Sequence, residues 1–140
     1  MLWIFGDNVE DRFGHVRYLL FYVICGLGAG GLHLVTHPFS EQATVGASGA
    51  IAGVMGAYLV MFPYARVLAI VPIVFVYAVP VPAALFLGLW FLMQFWSGTL
   101  SLAGRGGQTG GGIAWWAHVG GFLIGLYFGR KARRKKQVGT

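Results

Sequence analysis

Two side chains able to carry covalent chemistry stand in otherwise apolar surroundings. They are Ser48, in Gly46-Ala47-Ser48-Gly49, and His118, in Trp115-Trp116-Ala117-His118-Val119-Gly120-Gly121. A serine hydroxyl becomes a nucleophile when a base within hydrogen-bond reach can take its proton, and neutral imidazole is such a base. Carboxylates occur only at Asp7, Glu10, Asp11 and Glu41, all in polar stretches, so no acid lies inside an apolar segment to orient the ring. The pair would therefore work as a dyad and not as a triad. Gly46 and Gly49 allow a tight backbone turn and the approach of a substrate strand. The backbone N–H of Ser48, with those of its neighbours Gly46 and Gly49, is a candidate oxyanion donor at a helix start. Read alone, His118 is equally a structural histidine bonded to a neighbouring helix, because burying it without a partner is costly.

The surroundings of these residues fix their solvent. Of the 140 residues 57% are hydrophobic and only 10% charged, too apolar a balance for a soluble domain. The charges fall at residues 7–17, at Glu41, Arg66 and Arg105, and after Gly129, leaving long apolar runs between them. The net charge of +6 comes largely from Arg130–Lys136, at the end of an apolar run. A basic cluster there marks a cytoplasmic membrane face, and no nucleic-acid partner is expected. The single Cys25 cannot form an internal disulfide and reads as a small core residue. The first twelve residues lack the basic start and small-residue cleavage site of a signal peptide.

Four elements long enough to hold the pair in a bilayer can be traced. Residues 1–6 form an apolar stub and residues 7–17 a polar loop. The first span covers Tyr18 to Val35, about 27 Å at 1.5 Å per residue. A small-residue span runs from Gly46 to Phe62 and stops at Pro63. Val67 to Val81, broken by Pro72 and Pro80, reads as an irregular or interfacial connector. Pro82 opens a third span to about Gly98, as a first-turn proline. The glycine-rich Ser101–Gly112 stretch leads to the fourth span, Ile113 to Gly129. With the basic tail inside, nine of the ten Lys and Arg residues are cytoplasmic and only Arg105 is outside. The expected architecture is an all-α integral membrane protein of the cell inner or plasma membrane. Its membrane domain covers residues 1–129 and its basic cytoplasmic tail residues 130–140.

Depth and packing allow the two side chains to meet. Ser48 lies fifteen residues, about 22 Å, above Pro63, and His118 twelve residues, about 18 Å, above Arg130. Gly49, Gly53 and Gly56–Ala57 line one side of the second span, and Ala117, Gly121, Gly125 and Gly129 form a small-residue stripe on the fourth. Such stripes let helix backbones approach closely.

Gly46-Ala47-Ser48-Gly49-Ala50-Ile51-Ala52-Gly53, followed by Ala117-His118-Val119-Gly120-Gly121, resembles the paired signature of rhomboid proteases. Phe5-Gly6-Asp7-Asn8-Val9-Glu10-Asp11 resembles that family's loop after its second helix, and Gly26-Leu27-Gly28 fits its third. The similarity runs over nearly all of the chain. It implies an intramembrane serine endopeptidase with Ser48 as nucleophile and His118 as general base. Such an enzyme cleaves single-pass membrane proteins in or near their transmembrane segment, without a metal or cofactor. It also implies a rhomboid-like bundle whose four spans are the family's third to sixth helices, after a partial second-helix stub. Met1 would fall inside the second helix, so the first helix, a lateral loop and a His-xxx-Asn oxyanion motif are not in the chain. Ala52 stands where relatives often carry an aromatic ring stacked on the histidine; Trp115 or Trp116 is a candidate substitute, although both tryptophans read first as lipid-interface anchors.

Other features carry less. His33 and His37 have metal-pair spacing but neither the glutamate of an HExxH motif nor a third ligand. Gly104–Gly112 has no phosphate-loop lysine. Gln94 in the third span faces either another helix or a cavity, and the sequence does not decide between them. A non-catalytic rhomboid-like protein that binds transmembrane clients is the alternative function.

Overall fold

The computed structural model describes residues 1–36, 38, 47–72, 76–103 and 115–138. Along the chain these form α1 (Leu2–Phe13), α2 (His15–Thr36), α3 (Ser48–Met61), β1 (Arg66–Pro72), β2 (Val76–Pro82), α4 (Ala83–Leu102) and α5 (Trp115–Val138).

Two sequence expectations are corrected. The polar loop at residues 7–17 is helical. α1 runs on to Phe13 and only Gly14, at φ 78°, separates it from α2. Helical period explains the difference. Phe5, Gly6 and Val9 fall on one face and are buried, Phe5 edge-on to Tyr58 at 4.9 Å, while Asp7, Asn8 and Asp11 point outward. Glu10 and His15 pair across the break at 2.6 Å.

The fold is also not purely α. The connector is an antiparallel pair in which β1 runs against β2, with Arg66 opposite Pro82 and Pro72 opposite Val76. In a two-stranded ladder both strands are edges, so prolines can occupy positions that donate no ladder bond. The open edges cannot be satisfied by hydrocarbon, which puts the hairpin at the interface or in water. Ala83 N–H donates to Ala65 C=O at 2.7 Å and ties the hairpin base to the start of α4.

The helices are arranged inside-out relative to a soluble bundle. α3 is buried from Gly49 to Tyr58 except at half-buried Ile51, and α1, α2, α4 and α5 all pack on it. Large apolar side chains instead face outward, among them Leu19, Leu27 and Leu34 on α2 and Leu85, Leu89 and Trp96 on α4. Both α2 and α4 are long and apolar enough to cross a membrane; α3 is apolar but has 14 residues. α5 has 24 residues, and the basic run from Arg130 continues its helix without a break.

α3 and α5 are parallel and their backbones touch. A methyl group on Gly121 would overlap the Gly49 carbonyl, one on Gly125 the Gly53 backbone, and one on Gly129 would stand 2.9 Å from Ala57 Cα. α2 runs antiparallel against the same helix, with Ala29 beside Gly49 and Cys25 beside Gly53. Gly125→Ala is therefore expected to destabilise the bundle by about 3 kcal/mol, since only backbone could yield. Gly88→Ala, with nothing within 4 Å of the new methyl, should change stability by less than about 1 kcal/mol. Thermal unfolding in detergent compares the two, and equal midpoints would sink the packing account.

Candidate active site

Ser48 is the first residue of α3 and is exposed. Ala47 precedes it as the N-cap residue, contributing no side-chain cap, and its carbonyl accepts the first helical bond from Ile51 N–H at 3.0 Å. The N–H groups of Ser48, Gly49 and Ala50 thus have no i−4 partner within the helix, the condition that makes a helix start an anion site. Gly46 lies outside the described residues, as does His37.

His118 sits in the first turn of α5 and is half-buried. The Gly49–Gly121 and Gly53–Gly125 contacts set the level of the two residues. In that register His118 lies two residues, about 3 Å, to the N-terminal side of the position facing Ser48. Their chain neighbours touch, the position of a Gly49 Cβ being 3.4 Å from the Ala117 carbonyl oxygen. Among the described residues no hydrogen bond joins Ser48 to His118.

The imidazole is held from the other side, by α4. Its Nδ1 lies 2.8 Å from Gln94 Oε1, and Gln94 is only 3% exposed. With the carboxamide oxygen on that side, Nδ1–H donates and the ring is the tautomer whose Nε2 carries the free lone pair. Trp90, one turn before Gln94, meets the His118 ring with centroids 5.8 Å apart and also packs on Phe122 at 5.9 Å. One turn further on, Gly98 C=O accepts from Trp116 Nε1–H at 3.1 Å. Residues 90, 94 and 98 therefore form one face of α4 against α5. Both anchors are polar groups that an apolar interior requires to be paired.

The structure thus assigns Gln94, which the sequence left open, to His118. It also shows that the aromatic support of the ring comes from neither Trp115 nor Trp116. Trp90 packs on the ring, while Trp116 bonds α4 and Trp115 lies against Gly98. The signal was present: Trp90 and Gln94 are spaced i, i+4 in an apolar helix, and a buried glutamine there demands a partner.

This is a helical membrane bundle with a serine and a histidine on parallel neighbouring helices. The Rhomboid domain family model matches residues 1–135, and the chain belongs to that family. It is similar to Rhomboid protein 1, mitochondrial, of Saccharomyces cerevisiae, 29% identical over 133 residues, covering 91% of this chain and 34% of the yeast protein. It is also similar to RHOMBOID-like protein 5 of Arabidopsis thaliana, 41% identical over 58 residues, covering 41% of this chain and 19% of the plant protein. RHOMBOID-like protein 6, mitochondrial, of the same plant is 43% identical over 56 residues, covering 40% and 18%. The matched region is about a third or less of each relative's length. No solved structure gives a significant match.

The Gln94 contact makes a spectroscopic prediction. In 15N-histidine-labelled protein in micelles, His118, assigned by its loss in His118→Ala, should show a protonated Nδ1 and a bare Nε2. In Gln94→Leu the proton should redistribute between the nitrogens, at a stability cost of about 1 kcal/mol. Identical His118 shifts in the two proteins would rule the bond out.

Proposed function

We propose that this protein is an intramembrane serine endopeptidase acting through Ser48 and His118 on membrane-anchored protein substrates. The supporting observation is that the two residues lie within about 3 Å of one level on touching parallel helices, with Gln94 occupying the Nδ1 side of His118. That arrangement leaves Nε2 as the base. Ser48 Oγ attacks the scissile carbonyl as Nε2 takes its proton, and the oxyanion collects at the N–H groups of Ser48 and Gly49. The proton passes to the leaving amine and a water then hydrolyses the acyl-enzyme through the same base. Gly46 would add backbone to the oxyanion site. Gly53, Gly121 and Gly125 serve by keeping α3 and α5 close.

In this reading α2, α3, α4 and α5 are four crossings. The end bearing Arg12, Arg17, Arg66 and Lys131 lies in the cytoplasm, by the excess of positive charge there, and Ser48 lies toward the opposite face. Residues 1–129 are the membrane domain, followed by the basic segment 130–140.

A second reading, a non-catalytic binder of transmembrane clients, is favoured by one observation, the lack of a hydrogen bond between Ser48 and His118 among the described residues. Fluorophosphonate labelling in liposomes separates the two. The protease reading expects labelling that disappears in Ser48→Ala and in His118→Ala. Gln94→Leu should label about tenfold more slowly, the value of one orienting hydrogen bond. A folded chain that stays unlabelled, or labels equally well as Ser48→Ala, would favour the binder.

A further inference from the structure

The end of the bundle remote from Ser48 holds a cavity of about 810 Å³ between the C-terminal part of α5 and the start of α2. Four cations line it: Arg12, Arg17, Lys131 and Arg133. No carboxylate does: Asp11, next to Arg12 in the chain, is exposed and not part of the lining, and Glu10 is paired with His15. Arg133 donates to the Val60 carbonyl at 3.1 Å and Arg12 lies over the Phe62 ring at 5.0 Å, so the protein holds both in place. Arg17 and Lys131 make no hydrogen bond or ion pair among the described residues. Like charges gathered round one cavity repel, and an anion among them removes that cost.

The rest of the wall is apolar. Phe21, Met61 and Phe128 form its inner side, and Leu20 and Ile24 carry it onto the outward face of α2, where they are 59% and 43% exposed. The cavity therefore joins a cationic cup, at the level where the helices gain their charges, to a surface built to face acyl chains. A free phosphate would use only the cup. A neutral lipid would use only the wall. An acidic peptide would leave the apolar side unfilled.

We propose that this cavity binds an anionic glycerophospholipid, with its phosphate among the four cations and an acyl chain along Leu20, Ile24 and Phe128. The site is independent of the proteolytic chemistry, lying at the other end of α3 and α5.

The test uses the full chain in nanodiscs of phosphatidylcholine with a minor fraction of phosphatidylglycerol, and reads retained lipid by native mass spectrometry. Phosphatidylglycerol should be enriched on the protein, and its selectivity should fall about fivefold for each cation removed in Arg17→Gln and Lys131→Gln. The swap Arg17→Lys with Lys131→Arg should retain it, which separates lost charge from lost folding. Arg66→Gln with Arg134→Gln removes the same charge outside the cavity and should leave selectivity unchanged. Equal loss in that control, no enrichment in the unmodified chain, or displacement by soluble glycerol 3-phosphate would each overturn the proposal.

Discussion

Contact between the backbones of α3 and α5 is the constraint on which the rest of the bundle depends. Lipid tails are as apolar as leucine, so helices in a bilayer gain little from burying aliphatic surface and must gain from close packing. Here Gly49 meets Gly121, Gly53 meets Gly125 and Ala57 meets Gly129, so the contact repeats at each turn and fixes the axial register. α2 closes on the same seam, with Ala29 and Cys25 against the glycines of α3 and Gly28 against Ile124 and Gly120 of α5. No side chain can intervene along this seam. The level of His118 relative to Ser48 is therefore set by backbone, the least adjustable part of the molecule.

α4 is attached differently. Its outer face is large and apolar, and its inner face holds to α5 by two polar contacts, Gln94 to His118 and Gly98 to Trp116, with Trp90 and Phe91 packed on Phe122 between them. In an apolar interior each polar group must find a partner, so two hydrogen bonds specify orientation where apolar contact alone would not. The same bond that anchors α4 selects the tautomer of the candidate base. Structure and chemistry are thus coupled through Gln94, and a displacement of α4 would release the ring.

Much of this was legible in the sequence, for reasons that differ by element. The apolar runs of α2 and α4 announce themselves by length, and the small-residue stripes by spacing. α1 was obscured because Asp7, Glu10, Asp11 and Arg12 suggest a loop when counted as charges, although Phe5, Val9 and Phe13 keep a helical period. The hairpin was obscured by Pro72 and Pro80, which break helices yet are tolerated on edge strands. That Gln94 needs a partner was legible, but its identity was not, because the rotation of one helix against another is settled by packing between them and leaves no trace in the period of either.

Helix lengths also set the depth of the candidate site. α2 passes Gly49 at Ala29 and continues seven residues to Thr36, about 10 Å beyond the contact. α4 meets His118 at Gln94 and continues eight residues to Leu102, about 12 Å beyond. The start of α3 and the first turn of α5 therefore lie two turns below a rim raised by their neighbours. A hydroxyl at the N-terminus of a short helix needs no break in a longer one to be both recessed and exposed. That combination is what the proposed water-dependent chemistry on a lipid-embedded chain would require: a hydroxyl set back from the ends of the neighbouring helices, at an exposed helix start.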